Sequence, residues 1–67
     1  MDKKLEAAYE SATETVLNFH PELKPTDVLR AWDYDGENLG LAGNVSHKIS
    51  PAAFESAERA FFDTLNN

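Results

Sequence analysis

Two stretches of helical periodicity, each bounded by a proline, constrain this chain more than any other feature. In residues 3–19, Leu5, Tyr9, Ala12, Val16 and Phe19 recur in steps of four and three, with Ala8 beside them. That spacing predicts a helix with one apolar stripe. His20 falls in its last turn, where a partly positive imidazole suits the helix dipole, and Pro21 stops it. Lys3 and Lys4 lie at the unfavourable end for the same dipole. In residues 50–65, Ser50 is a suitable N-cap, and Pro51 fits the first helical position, where no N–H is needed. Phe54, Ala57, Phe61 and Leu65 make the second stripe, widened by Ala53, Ala60 and Phe62, and Glu55 with Arg59 forms a favourable i,i+4 pair. Phe61 and Phe62 are adjacent and cannot share one narrow stripe, so one of them needs a second surface.

The stretch between, residues 22–49, carries competing signals. Pro25-Thr26-Asp27 resembles a helix start, which would make Val28 to Trp32 a short helix. The preferred reading places Val28, Arg30, Trp32 and Tyr34 on one face of a strand, with a turn at Asp35-Gly36. The return strand then carries Leu39, Leu41, Val45 and Ile49, and Gly40 and Gly43 weaken it or mark a bulge or close backbone approach. The expected fold class is therefore α+β: N-terminal helix, central short β-hairpin and C-terminal helix. The alternative is an all-α bundle of three or four short helices with a glycine-rich loop between Gly36 and Gly43.

Length limits what such a fold can hold. The 67 residues are read as one small domain, 1–67. A chain of this size buries only about 60% of its unfolded surface, and its core supplies a net ~3–5 kcal/mol. Without cysteine it has neither disulfides nor thiolate metal ligands, and a reducing cytoplasm suits it. The opening residues are amphipathic rather than continuously apolar, so no signal peptide is expected, and no run reaches the ~18–20 apolar residues of a spanning helix. An apolar fraction of 42% argues for a folded chain over a disordered one.

Twelve Asp and Glu against six Lys and Arg give a net charge of −6, and the excess is patterned. Glu6, Glu10 and Glu14 repeat every fourth residue on the first helix, where like charges repel by a few tenths of a kcal/mol per pair. Their ~6 Å rise approaches the phosphate spacing along one nucleic-acid strand, so the row can imitate a phosphate backbone; it can also simply keep a small protein soluble. Asp33, Asp35 and Glu37 alternate through the central turn beside Trp32 and Tyr34. Exposed, these aromatics would form an interaction hot spot; buried, Trp32 is the bulkiest core residue, and burial is expected, with Tyr34 at the rim.

The segment Asp33-Tyr34-Asp35-Gly36-Glu37-Asn38 resembles the opening of an EF-hand calcium loop, with carboxylates at loop positions 1, 3 and 5. The resemblance stops there. Position 8 is Gly40 instead of an apolar residue, and position 12 is Asn44 instead of the bidentate Glu. His20 and His47 match no metal-ligand spacing.

No phosphate loop, nucleophile elbow or cysteine nucleophile is present, so no enzymatic activity and no cofactor is expected. The six cations form no stripe, which with the net charge disfavours direct nucleic-acid or anionic-membrane binding. The expected function is a small acidic protein-binding module, an inhibitor or regulator that occupies a basic surface of a partner protein, including by nucleic-acid mimicry. Glu6, Glu10, Glu14, Asp33, Asp35 and Glu37 would steer and register it, and Trp32 and Tyr34 would anchor it. The alternatives are a homo-oligomeric structural unit, closing an apolar patch around Phe54, Phe61 and Phe62 by two-fold pairing as in a homodimer, and a weak Ca²⁺ module through residues 33–44.

Overall fold

The first and last helices pack against each other in opposite directions. In a computed structural model describing residues 2–67, α1 spans Lys3–Phe19 and α4 spans Pro51–Leu65. The Ser50 N–H, at the start of α4, donates to Nε2 of His20 at the end of α1 (3.0 Å), while the Tyr9 and Phe61 rings meet at 5.4 Å. Ala8, Ala12 and Val16 on α1 and Ala53, Ala57 and Phe61 on α4 are fully excluded from solvent. Alanines leave little between two helix backbones, so the pair can pack closely and Phe61 supplies the bulk. Replacing Phe61 by Ala would cost about 3–5 kcal/mol, comparable to the net stability expected of so small a core.

The helix ends are capped by side chains. Asp2 Oδ1 accepts from the Lys4 N–H (2.9 Å), which places a carboxylate at the positive end of the dipole and offsets the two lysines. Ser50 Oγ accepts from the Ala53 N–H (3.1 Å), as its N-cap position requires. His20 is the C-cap of α1 and lies just beyond its last turn. Since its Nε2 is an acceptor for Ser50, that nitrogen carries no proton, and Nδ1 faces the Glu22 carboxylate at 3.5 Å. Glu55 and Arg59 do not pair: among the described residues no Lys or Arg side chain lies within ion-pair distance of a carboxylate, and the His20–Glu22 contact joins a neutral imidazole to a carboxylate. The Glu55 and Arg59 side chains are exposed, where holding two long chains in one geometry cancels a screened attraction.

Between these helices the chain is helical first and extended second. α2 spans Pro25–Ala31, β1 Trp32–Tyr34, β2 Leu39–Leu41 and α3 Gly43–Ser46. The fold is α+β with a central hairpin, and the all-helical alternative is not what forms. The long-strand expectation needs correction, however. Val28 and Arg30 belong to α2, and the backbone turns extended only at Trp32 (φ −73°, ψ 142°). The return strand ends at Leu41, so Val45 lies in α3 and Ile49 in the connection to α4. The ladder pairs Trp32 with Leu41, Asp33 with Gly40 and Tyr34 with Leu39, and the Ala42 N–H extends it to the Ala31 carbonyl (2.9 Å). There α3 begins, with the Ser46 N–H bonded to the Ala42 carbonyl (2.9 Å).

Alternation along β1 turns the Trp32 and Tyr34 side chains toward the α1–α4 pair. Trp32, 7% exposed, donates its indole N–H to Thr13 Oγ1 (2.9 Å), and the Thr13 hydroxyl donates to the Tyr9 carbonyl (2.8 Å). One residue pair further on, the Tyr34 N–H donates to the Tyr9 hydroxyl (3.2 Å). The second surface that Phe62 requires is the Tyr34 ring, 5.9 Å away and edge-on. Among the described residues no helix is long and apolar enough to cross a membrane.

Thr13→Val removes the acceptor and leaves a buried indole N–H without a partner. A loss of about 1–3 kcal/mol is expected in denaturant unfolding, while Thr13→Ser, which keeps the hydroxyl, should lose distinctly less. A negligible loss for Thr13→Val would show that the hydrogen bond does not matter.

Candidate functional site

Glu6, Glu10 and Glu14 project from the flank of α1 that faces α2. Val28, inward on α2, is fully buried, which forces its neighbour Leu29 outward, where it remains 39% exposed. With only seven residues, α2 is too short to cover the whole flank of α1. The result is a groove made of two adjoining depressions that share Glu10 and Leu29. One, of about 480 Å³, is bounded by Glu6, Tyr9 and Trp32. The other, of about 280 Å³, runs on past Thr13, Glu14 and Leu17 to Pro25 and Thr26.

The groove is apolar along its floor and acidic along one rim. No Lys or Arg lines either depression. Among the described residues, none of the three glutamates pairs with a Lys or Arg side chain. A cleft with low-dielectric walls and charge of one sign focuses its field outward. Such a site can attract and register cations on a partner, and its floor can bury apolar side chains.

Of the eight residues that the sequence singled out, the structure brings Glu6, Glu10, Glu14 and Trp32 to this groove and leaves the other four outside it. Trp32 forms part of the wall and is not a protruding anchor, because its indole is buried against α1. Tyr34 is half-buried, with its ring on Phe61 and Phe62 and its hydroxyl donating to the Gly36 carbonyl (2.9 Å). Asp33 and Glu37 are exposed.

Asp35 has a structural task. Its Oδ1 accepts from the backbone N–H of Asn38 (2.7 Å) and of Glu37 (2.8 Å), tying the hairpin turn, and Gly36 supplies the positive φ (103°) that the turn needs. These bonds, that from Asn38 foremost, hold its carboxyl below the ordinary carboxylate value. Residues 33–44 consequently do not form an EF-hand loop. Asp33 is paired across the ladder to Gly40, Asp35 is spent on its own turn, and Asn44 lies in α3. Among the described residues no group of three or more His, Asp or Glu is disposed to hold a metal ion.

Sequence reasoning missed Leu29, Leu17, Pro25 and Thr13 as groove residues. A signal existed for the last two turns of α1: Thr13 and Leu17 follow Glu10 at helical spacing and share its flank. No signal marked Leu29, because its outward position depends on α2 being a helix.

The carboxyl of Asp35 is bonded as the anion, so its contribution is present above the unfolded-state value near 3.8 and fades as pH falls through the lower folded-state value. In an NMR titration the Asp35 carboxyl should have its midpoint below 3.8, and the Glu37 and Asn38 amides should shift in step with it. Asp35→Ala should abolish that coupled shift and lower the thermal midpoint at neutral pH. A midpoint at or above the ordinary value would contradict the turn geometry.

Comparison with protein-family models, with curated proteins and with solved structures finds no match to this chain, so the groove stands as the basis for a functional reading.

Proposed function

We infer that this chain is an acidic protein-binding module that occupies a basic surface of a partner protein and so inhibits or regulates it. The observation that carries this reading is the unpaired row Glu6, Glu10 and Glu14 along an apolar groove. Keeping like charges at i,i+4 costs helix stability, and among the described residues none of the three lies within ion-pair distance of a Lys or Arg side chain. Solubility alone would be served as well by dispersed charge. The ~6 Å rise between these carboxylates makes a nucleic-acid-binding protein one class of partner with a suitably basic surface. A cysteine-free chain suits a cytoplasmic setting.

The homodimer reading is the less favoured of the two. Phe62, one of the three aromatics behind it, packs edge-on against Tyr34 of the same chain. Two copies meeting through the groove would also bring their glutamate rows together.

Attraction of this kind raises association rate and is screened by salt. Proteins captured from a native lysate at low salt should be released by roughly 0.5 M salt, where the Debye length falls to about 4 Å. They should not be retained by an E6K/E10K/E14K variant whose circular dichroism matches the parent. For a captured partner, E10K/E14K should slow association more than it speeds dissociation. Capture indifferent to both salt and charge reversal would rule the acidic face out.

A further inference from the structure

We propose that the α1–α2 groove binds a short cationic amphipathic helix of a partner protein, seating its apolar side chains on Leu29 and Leu17 and pairing its Lys or Arg with Glu6, Glu10 and Glu14. The inference rests on the reading of the chain as an acidic binding module and specifies what that module grips.

The shape of the groove calls for more than a charged surface. From Glu6 to Asn18 it follows α1 for about 18 Å, or roughly three turns of helix. Leu29 stands 39% exposed at the point where the two depressions meet, and no described residue covers the exposed part. A phosphate backbone or flat basic patch has no apolar side chain to place there, whereas an amphipathic helix presents one every three or four residues.

Charge then selects among amphipathic occupants. The α1 rim is acidic at every fourth residue, while the α2 wall offers the uncharged Pro25 and Thr26. A docked helix repeats its own i,i+4 positions at the same ~6 Å rise, so a row of Lys or Arg can meet the row of Glu in register. An extended segment is less suited, because it would have to pair with a strand edge, and every residue lining the groove except Trp32 lies on α1 or α2. A second copy of this chain would set carboxylate against carboxylate.

The test uses a synthetic peptide of about 14 residues, about 21 Å as a helix, built from Leu and Lys with Leu at i, i+3, i+4 and i+7. Its controls are a scrambled isomer of identical composition and a Leu/Glu counterpart. Trp32, the single tryptophan, gives a fluorescence signal, and amide and methyl shifts locate the contact. The Leu/Lys peptide is expected to bind, to become helical, and to shift Leu17, Leu29 and the Trp32 indole N–H. Leu29→Asp and the scrambled isomer should each weaken binding about tenfold or more. Equal binding of the scrambled isomer would overturn the groove assignment while leaving the acidic-module reading intact. Equal binding of the Leu/Glu peptide, or of the E10K/E14K variant, would overturn both. Absence of binding at millimolar peptide, or shifts confined to another face, would overturn the groove assignment. So would a concentration-dependent dimer with the same shifts, since it would name a second copy as the occupant.

Discussion

The indole of Trp32 sets the arrangement of everything between the two long helices. It is too large to leave in water in a chain this short of bulk, and its N–H is a donor that must find an acceptor once buried. Thr13 provides that acceptor from inside a helix, an uncommon place for a buried polar residue, and hands its own hydroxyl proton to the Tyr9 carbonyl. The pairing fixes β1 against α1 at Trp32, and the Tyr9 hydroxyl fixes it again at Tyr34. With both points set, β2 follows by ladder pairing and α2 is drawn alongside α1.

α1 consequently has two working faces. One is the Ala8–Ala12–Val16 stripe that meets α4, and the other is the Glu6–Glu10–Glu14 flank that borders the groove. Tyr9 and Thr13 lie where the faces join, and both belong at once to the hydrogen-bonded support of the hairpin and to the groove lining. The groove is thus supported by a rigid helix and a pinned strand. A preorganised surface of this kind loses less on binding than one that must order itself first.

The two long helices were legible because their signals are local: a stripe at helical period, Ser50 with Pro51 at one start and Pro21 beyond one end. The hairpin was legible from Asp35-Gly36, and the burial of Trp32 from its size. The boundary at Ala31 and Trp32 was not, since Val28 and Trp32 are compatible with one strand face as well as with one helix face. Long-range bonds from Trp32 to Thr13 and from Ala42 to Ala31 decide it. The carboxylate row was legible from its spacing, but the apolar floor beside it depends on α2 lying beside α1. The turn that looked functional owes Asp35 to local backbone bonding.

The antiparallel union of α1 with α4 also bears on how the chain is made. The apolar stripe of α1 leaves the ribosome before α4, its principal cover. Until α4 has emerged, Ala8, Ala12 and Val16 have no lasting partner, and the nascent segment displays an uncovered amphipathic surface of the kind that chaperones engage. Like charges on Glu6, Glu10 and Glu14 repel other copies of such a segment, so the row that edges the groove in the finished molecule also bears on solubility during synthesis.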